Sequence, residues 1–267
     1  MKNTLVFTEE RQKAILTYLA KKGNASVSEL CQMFEISEMT IRRDLKTLSK
    51  KNLLRRTYGG AVPSEPAFFE MSLKAKISIF MEEKKAIGQI CGEMVQNGEV
   101  IFLDSGTTTL EVAKHICHKT ITVVTNDLNI GSTLINYPNI TLFITGGELR
   151  RGTNNLIGNK AISFFDDIQG AKLFMGVEGI DVEAGFTIPD LEEVLIKRRM
   201  MKSVDKVIVV ADRSKLGRST MGVIAPLSSV HLLVTDSCAP ESVLNPIMEQ
   251  IPVMKAIVEK PISAPSN

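Results

Sequence analysis

The sequence has few of the features that mark secreted, membrane-spanning or disulfide-stabilised proteins. Its 4 cysteines, Cys31, Cys91, Cys117 and Cys238, are scattered without a C-x-x-C pair, so neither a disulfide framework nor a structural zinc site is expected. No uncharged apolar run approaches the length that spans a bilayer, and the opening residues MKNTLVFTEE lack the layout of a signal peptide. We therefore expect a cytoplasmic protein with reduced thiols and no membrane partner.

Signatures of cofactor and metal binding are also missing. The chain contains neither G-x-x-x-x-G-K-[ST], which binds nucleoside triphosphates, nor the dinucleotide signature G-x-G-x-x-G. His115, Cys117 and His118 lie too close together at one predicted helix end to converge on a metal, and no fourth ligand is indicated. His231, beside two leucines, is interpreted as a core-edge residue rather than a catalyst. We predict no cofactor, no metal site and no catalytic residue.

What is present fits a globular protein of two domains. A chain of 267 residues has room for a small domain and one of about two hundred residues, each with its own core. The predicted organisation is a small domain at 1–62, a linker and connecting helix at 63–97, a larger domain at 98–259 and a disordered tail at 260–267. The connecting helix could serve a dimer contact or intramolecular packing.

Residues 37–51, SEMTIRRDLKTLSKK, predict an amphipathic helix near the amino end. Ser37 is a suitable N-cap, and Ile41, Leu45 and Leu48 recur at helical spacing and need a partner to bury against. The opposite face is polar and mostly cationic, with Asp44 the only acid after Glu38; its outward residues are Thr40, Arg42, Arg43, Lys46 and Thr47. Taken alone, this helix could equally be a solvated surface helix or one that enters the DNA major groove.

The preceding residues favour DNA binding. A helix is predicted at 8–22 with an apolar stripe, and a capping box formed by Ser26 and Glu29 opens a short second helix. The residues expected to point inward are Ala14, Ile15, Tyr18 and Leu19 on the first helix and Leu30, Met33 and Phe34 on the second. Only Glu35 and Ile36 separate the second helix from Ser37, which is the spacing of a helix-turn-helix motif.

A β-wing is predicted after the third helix. Asn52 can end that helix in the left-handed conformation, residues 53–58 are strand-like, and Gly59-Gly60 is a turn signal. The wing carries Arg55 and Arg56, which are placed to contact phosphate or the minor groove. Residues 1–62 hold 12 Lys and Arg against 6 Asp and Glu, a net of +6, while the rest of the chain carries 20 against 24, or −4. This asymmetry points to double-stranded DNA as a partner.

Beyond Gly98 the pattern changes to alternating strands and helices. Short apolar strands are predicted at 100–103, 121–124, 140–144, 171–176, 207–210 and 232–234, and helices at 110–116, 129–136 and 191–203. Such alternation predicts a mainly parallel sheet between helices. Ligands of these sheets bind outside the carboxyl ends of the strands.

Three polar loops follow predicted strands. D-S-G-T-T-T at 104–109 can surround an anion at a helix N-terminus, and it leaves Asp104 for a sugar hydroxyl. Thr125-Asn126 follows the second strand, and Thr145-Gly146-Gly147, with Arg150 and Arg151, follows the third. Each loop alone is more often a plain turn, but three at one sheet edge favour a phosphorylated polyol site.

These motifs carry a family resemblance. The run SVSELCQMFEISEMTIRRDLKTLSKKNLLRRTYGGAV resembles the winged helix-turn-helix of DeoR-family bacterial transcription regulators, with its T-[IV]-R-R-D-L core and late R-x-x-G-G-A. Asn52 stands where that family usually has a glycine, and Tyr58 where it often has a histidine before the glycine pair. The first change keeps a left-handed cap, and the second could alter a phosphate or sugar contact.

The resemblance covers roughly residues 8–258. IFLDSGTTTLEVAKHI, VVTND, TGGELR, LFMGVEGID, LEEVLIKRRM and ADRSKLGR are similar to the DeoR-type sensor domain. The implied fold is an N-terminal winged helix-turn-helix followed by an α/β domain similar to ribose-5-phosphate isomerase and, more distantly, to coenzyme A transferases. The resemblance implies an effector pocket bordered by Asp104, Ser105, Gly106, Thr107, Thr108, Thr109, Asn126, Gly146, Gly147 and Lys197. It places Asp181, Gly185, Asp212 and Lys215 near that pocket, although Lys197 and Lys215 could equally be surface cations.

The resulting hypothesis is a repressor of a sugar or sugar-alcohol operon, controlled by a phosphorylated sugar or sugar alcohol. Ser37, Arg55 and Arg56 are expected on phosphates, with Tyr58 at a phosphate or sugar. Thr40, Arg42, Arg43 and Lys46 are expected nearer base edges, and Glu38 and Met39 tune base selection. One helix and wing cover a half-site, so we expect a homodimer or homotetramer. The alternatives are a sugar-phosphate isomerase or acyl transferase with a DNA-binding appendage, and an architectural DNA-binding protein without a ligand.

Overall fold

A computed structural model describes residues 8–50, 53–63 and 73–258, and the chain divides into two compact units, Met1–Phe80 and Met81–Asn267. Four predicted features therefore fall wholly or partly outside the described residues: the Asn52 cap, the linker beyond Pro63, the first part of the connecting helix and the tail at 260–267. Within the described ranges, no helix is long and apolar enough to cross a membrane.

The first unit is a set of short helices with a small sheet. Its elements are α1 (Thr8–Lys22), β1 (Ala25–Ser26), α2 (Val27–Phe34), α3 (Glu38–Lys50), β2 (Leu54–Thr57), β3 (Gly60–Pro63) and α4 (Leu73–Ser78). The apolar stripes predicted from helical spacing meet in its core, which includes Ile15, Leu19, Leu30, Ile41, Leu45 and Leu48. One inward prediction was wrong, because Met33 is 46% exposed.

The predicted capping box on α2 is present. The Ser26 hydroxyl accepts from the Glu29 amide at 3.1 Å, and the Glu29 carboxylate accepts from the Ser26 amide at 2.9 Å. The hydrogen bond from the Lys22 side chain has the largest effect on the pKa of Glu29. Together with the bond from the Ser26 amide, it lowers that pKa to about 2. Glu35 ends α2 in the left-handed conformation with φ 52°, which turns the chain directly into α3.

The second unit contains the larger α/β fold. Its elements through the first half are α5 (Met81–Glu93), β4 (Val100–Leu103), α6 (Thr107–His115), β5 (Ile121–Thr125), α7 (Leu128–Leu134), β6 (Ile140–Ile144), β7 (Glu148–Arg150), β8 (Asn155–Ile157) and α8 (Asn159–Ser163). They are followed by β9 (Gly170–Gly176), β10 (Gly179–Asp181), β11 (Gly185–Ile188), α9 (Leu191–Lys202), β12 (Val204–Val210), β13 (Gly222–Ala225), β14 (Leu232–Asp236), α10 (Glu241–Met248) and β15 (Val253–Ala256).

Seven strands form one parallel sheet in the order β15-β14-β12-β9-β4-β5-β6. Two apolar clusters pack against it, one containing Phe102, Phe165 and Leu173 and the other Ile101, Val123 and Phe174. The predicted fold class, a winged helix-turn-helix followed by an α/β domain with a mainly parallel sheet, is confirmed. All carboxyl ends of these strands lie at one edge, so the predicted polar loops share that edge.

The connecting helix predicted within residues 63–97 is not one continuous helix in its described part. The described part of this segment is two helices, α4 and α5, separated at Phe80, which has a left-handed φ of 55°. Ile79 and Phe80 are buried in the core of the first unit, whereas Ile87 and Cys91 are buried in the core of the second. The apolar residues of this segment are therefore divided between the cores of the two units. Those of α5 pack inside the second unit.

Candidate DNA-binding surface and effector site

The amino end of α3 is formed as its sequence predicts. The Thr40 amide lies 3.4 Å from the Ser37 hydroxyl, and the Ile41 amide donates to the Ser37 carbonyl at 3.2 Å. This places Glu38 and Met39 in the first turn, where Met39 is 81% exposed. Thr40 is half-buried and its hydroxyl lies 2.9 Å from that of Ser37.

The cationic face of α3 is present, but its members differ. Arg42 and Glu38 lie one turn apart on the exposed surface of α3. Arg42 donates to the Glu38 carboxylate from Nε at 2.9 Å and from a terminal nitrogen at 2.5 Å. Arg43 and Lys46 are both exposed on the same helix. The Glu38 carboxylate therefore orients the Arg42 side chain, and Arg43 and Lys46 extend from the solvent side of α3.

Asp44 does not belong to that outer face. It is 2% exposed and accepts from Arg11 Nε at 2.6 Å and from Gln12 Nε2 at 3.0 Å. The sequence analysis counted Asp44 on the polar outer face of the helix, because the neighbouring Arg42, Arg43 and Lys46 point outward. That interpretation was wrong. The buried ion pair instead ties α3 to α1, and Asp44 adds no acid to the exposed surface.

The wing is a β-hairpin within a three-stranded sheet. β2 and β3 pair antiparallel, and β1 pairs with the other side of β3. Arg55 and Arg56 are exposed on β2, and Tyr58 is fully exposed at the turn. A Cβ at Gly60 would lie 2.0 Å from the Ala25 carbonyl oxygen, so this close approach requires glycine.

At the carboxyl edge of the large sheet, Asp104 and Lys197 form a buried ion pair. Both side chains are 1% exposed. The Asp104 carboxylate also accepts from the Gly176 amide at 3.0 Å, and Lys197 Nζ donates to the Gly176 carbonyl at 3.0 Å. Lys197 is thus an interior residue that joins α9 to the ends of β4 and β9. The surface-cation interpretation of Lys197 is wrong.

The loop after β4 leads directly into α6. Gly106 is the N-cap residue, with φ 153°, and no side chain caps the helix. Thr107, Thr108 and Thr109 form the first turn, and the Thr109 hydroxyl donates to the Gly106 carbonyl at 2.9 Å. The first-turn amides of α6 therefore provide donors suited to an anion.

Asp127, which sequence reasoning missed, supports this loop. Its carboxylate accepts from the Gly106 amide at 3.2 Å and from the Asn129 and Ile130 amides at 2.6 and 3.2 Å. Burial raises its pKa above the ordinary value for an aspartate. An aspartate directly before a helix is an N-cap signal, so the sequence T-N-D-L could have identified it.

A hairpin made of β7 and β8 links the strand ends. The Leu156 amide donates to the Asn126 carbonyl at 2.7 Å, and Asn155 Nδ2 donates to the Ser105 hydroxyl at 3.3 Å. Asn155 is completely buried. The hairpin connects Ser105 and Asn126, which both belong to the predicted site.

Among the buried polar atoms that lack a hydrogen-bond partner in the described part of the chain, two directly follow the neighbouring strands β5 and β6. They are Oδ1 of Asn126, after β5, and the hydroxyl oxygen of Thr145, after β6. Asn126 is 1% exposed and Thr145 is 2% exposed. The side-chain nitrogen of Asn126, Nδ2, donates to the Leu156 carbonyl at 3.2 Å. A buried unpaired polar atom costs free energy. No described residue supplies a partner for either atom.

The loop after β6 contains two glycines, Gly146 and Gly147, and its backbone path depends on the second. Gly146 and Gly147 are exposed. Gly147 has φ 127°, and a Cβ there would lie 2.4 Å from the Ile157 carbonyl oxygen of β8. Its conformation therefore lets the loop pass closely over β8.

Arg150 is not an available anion ligand. It forms ion pairs with Asp190, at 2.8 Å, and with Glu193. Glu193 is 4% exposed, and Asp190 is the N-cap of α9. These contacts join the β7–β8 hairpin to the helix that carries Lys197. Arg151 is exposed.

The remaining residues implied by the family resemblance occupy different places. Lys215 Nζ donates to Glu178 at 2.6 Å, just beyond β9, and the buried Asp212 follows β12. Asp181 accepts from the Glu183 and Ala184 amides, both at 2.9 Å, in the turn before Gly185. Asp212 and Lys215 are thus near the carboxyl edge, whereas Asp181 and Gly185 shape the β10–β11 turn.

The histidines and Cys117 have ordinary local contacts. His115 Nδ1 lies 2.8 Å from the Glu111 carbonyl oxygen, and Cys117 Sγ lies 2.7 Å from that of Lys114. His231 is exposed, and its Nδ1 accepts from the Val207 amide at 3.1 Å. In the described part of the chain, no three His, Cys, Asp or Glu side chains are grouped so that they could hold a metal ion.

Comparison with known proteins agrees with this architecture. The model of the DeoR-like helix-turn-helix domain matches residues 11–66, and that of the DeoR C terminal sensor domain matches residues 79–237. A putative aga operon transcriptional repressor from Escherichia coli O157:H7 is 32% identical, over 89% of this chain and 90% of its own. The HTH-type transcriptional regulator GlpR of Haloferax volcanii is 37% identical, over 85% of this chain and 89% of its own. The glycerol-3-phosphate regulon repressor of Escherichia coli K12 is 32% identical, over 88% and 94%.

Among solved structures, ribose 5-phosphate isomerase A of Methanocaldococcus jannaschii aligns with a TM-score of 0.39 and 13% identity, over 51% of this chain and 54% of its own. At this level of similarity we infer nothing about function from the alignment.

The fold and the sequence matches define a DNA-binding regulator of transcription rather than an enzyme. The chain belongs to the DeoR family of transcriptional regulators. The alternative of an isomerase or acyl transferase is set aside, because relatives similar over nearly their whole length are named regulators or repressors.

Proposed function

We propose that the protein represses a sugar or sugar-alcohol catabolic operon, and that a phosphorylated sugar or sugar alcohol controls its affinity for operator DNA in the cytoplasm. The observation that carries the effector proposal is the pair of buried, unpartnered oxygens of Asn126 and Thr145 at the strand ends. Both atoms can accept hydrogen bonds from the hydroxyl groups of a polyol.

The phosphate group would bind at the amino end of α6. The first-turn amides of Thr107, Thr108 and Thr109 supply donors, and the helix dipole favours an anion there. Lys197 is already neutralised by Asp104, so this pair holds the shape of the site and adds no net charge. The name of one relative, the glycerol-3-phosphate regulon repressor, fits the proposed ligand class.

For DNA, we propose that the exposed end of α3 enters the major groove. Met39, Arg43 and Lys46 are accessible there, and Glu38 sets the orientation of Arg42. Ser37, Thr40 and the wing residues Arg55, Arg56 and Tyr58 would contact the backbone or base edges nearby. One such surface reads a half-site, so two or four copies of the chain would bind one operator.

The effector would act by binding two arrangements of the assembly unequally. A ligand shifts such an equilibrium only by its difference in affinity for the two states. A change at the strand ends should therefore alter the response to effector without altering DNA binding in its absence.

Thr145→Val tests the effector site. The substitution keeps the side-chain shape and removes an oxygen that has no partner in the described structure. We expect an unchanged or slightly raised melting temperature, and a weakening of effector binding by about 1 kcal/mol, the usual net value of a hydrogen bond. Thermal shift and calorimetry with phosphorylated sugars and their unphosphorylated counterparts measure both. Unchanged affinity for every ligand that binds wild type would remove Thr145 from the site.

Arg43→Ala tests the DNA surface. Loss of one arginine at base edges should weaken operator binding by about 1 to 3 kcal/mol. Fluorescence anisotropy with labelled operator DNA measures the change. Lys202→Ala, at an exposed cation of α9 in the other unit, is the control and should bind as wild type. Equal affinities for all three proteins would show that this face of α3 does not read DNA.

A further inference from the structure

Within the described residues, the large sheet ends in a strand whose outer edge has no partner strand. β6 is the terminal strand, and within the described residues it pairs only with β5. The Thr145 amide donates to the Thr125 carbonyl of β5 at 3.0 Å. Because backbone groups of successive residues point to opposite sides of a strand, Leu142 and Ile144 direct their amides and carbonyls away from β5. β6 therefore offers two outward-facing residues for a further strand.

This edge lacks the charged side chains that usually oppose pairing. Exposed edge strands normally carry charges, prolines or bulges that prevent association. Residues 128–147 contain no charged side chain. The opposite edge strand of the same sheet, β15, carries Lys255. The two edges therefore differ, and only the β6 edge has the composition of a buried strand.

Apolar side chains border the β6 edge on both faces of the sheet. Phe143 and Ile144 point to opposite faces and are 48% and 37% exposed. The Phe143 ring lies 6.4 Å from that of Phe164, between centroids, whereas Ile144 approaches Gly131 of α7. Ile135 is 70% exposed at the end of α7. Exposed apolar side chains therefore lie on both faces beside the β6 edge, and exposed apolar surface of this kind marks contact sites.

We propose that β6 pairs antiparallel with β6 of a second copy, across a two-fold axis at Phe143, so that two seven-stranded sheets become continuous. In this register Leu142 lies opposite Ile144 of the second copy, and the two residues exchange both backbone hydrogen bonds. Phe143 lies opposite Phe143 of the second copy as a non-hydrogen-bonded pair, with Cβ atoms about 4.5 to 5.5 Å apart. The outward backbone groups of Leu142 and Ile144 suit this register.

The chemistry of the edge favours a second copy over another kind of partner. A two-fold interface places the residue on its axis opposite the same residue of the second copy, so a charge there would meet a like charge. A strand without charges avoids that penalty. Its two outward residues, Leu142 and Ile144, lie one residue on either side of Phe143, so that each can pair with the other in a second copy. An acidic or basic partner would require complementary charges, which residues 128–147 do not supply.

Cysteine cross-linking tests the register. In a chain with Cys31, Cys117 and Cys238 replaced by serine, Phe143→Cys should form a disulfide-linked dimer on mild oxidation. Thr141→Cys is the matched control on the same strand. In the proposed register the two Thr141 positions are four residues apart along the strands, about 14 Å, which is beyond the reach of a disulfide. Cross-linking at neither position, or equally at both, would refute the proposal.

A charge substitution tests the interface in solution. Phe143→Lys places like charges opposite each other, and self-association through this edge should weaken by at least about 100-fold. Light scattering and sedimentation of the full chain should show the assembly mass reduced by half. Met254→Lys, on the opposite edge strand, where the side chain is 41% exposed, is the control and should leave the mass unchanged. A monomeric wild type, or a Phe143→Lys variant that is folded by circular dichroism and retains the wild-type mass, would overturn the proposal.

Discussion

Lys197 shows how a single residue can be hidden by its neighbours. It lies in the run Lys197-Arg198-Arg199, in which all three residues are cationic. The structure separates them: Lys197 is 1% exposed and pairs with Asp104, whereas Arg198 is exposed and donates to carbonyls of β13. Helical spacing and composition do not distinguish the three, because the partner of Lys197 lies on a distant strand; only the family resemblance singled out Lys197.

The buried pair makes a stability prediction. Lys197→Met leaves the Asp104 carboxylate buried without its cation, which should cost about 3 to 5 kcal/mol of unfolding free energy. The double variant Asp104→Asn, Lys197→Met removes both charges and should be more stable than Lys197→Met alone. Urea unfolding of the three proteins measures these differences. If the double variant is no more stable than the single one, the two charges are not coupled in the fold.

Among the elements, the long apolar strands and amphipathic helices were predictable, and the short strands were not. The six predicted strands of the parallel sheet are present, because each is a compact apolar run. β1 has two residues, and β7 and β8 have three each, so their positions are set by tertiary pairing rather than by pattern. The hairpin of β7 and β8 is nevertheless what connects Ser105, Asn126 and α9.

The wing offers a matched pair of glycines. Gly60→Ala forces a Cβ against the Ala25 carbonyl oxygen, whereas a Cβ at Gly59 has nothing within 4 Å. We expect Gly60→Ala to destabilise the first unit by about 1 to 3 kcal/mol, as overpacking does, and to weaken DNA binding. Gly59→Ala should have little effect on stability. Thermal unfolding and anisotropy measure both properties, and equal stability of the two variants would show that β1 and β3 can separate without cost.

At the scale of the whole molecule, charge is divided unevenly along the chain. Residues 1–62 carry a net charge of +6 and the remainder −4. DNA binding by the basic part releases condensed ions from the phosphates, whereas the charges at the strand ends, such as Asp104 and Lys197, are buried and paired.

Ionic strength should therefore separate the two activities. Raising salt from low to moderate concentration should reduce operator affinity steeply, by about tenfold or more if several phosphates are contacted. Effector affinity should change much less over the same range. Anisotropy and calorimetry at matched salt concentrations make the comparison. A salt dependence of effector binding as steep as that of DNA binding would mean that exposed cations, rather than buried groups and helix amides, hold the ligand.

The separation of the chain at Phe80 has a consequence for how such proteins diverge. The described core residues of the first unit end at Phe80, and those of the second begin at Ile87. A mutation that repacks one core leaves the contacts of the other in place. Under the proposed function, operator preference and effector preference can therefore change independently, so that a new effector could be acquired while the operator is kept.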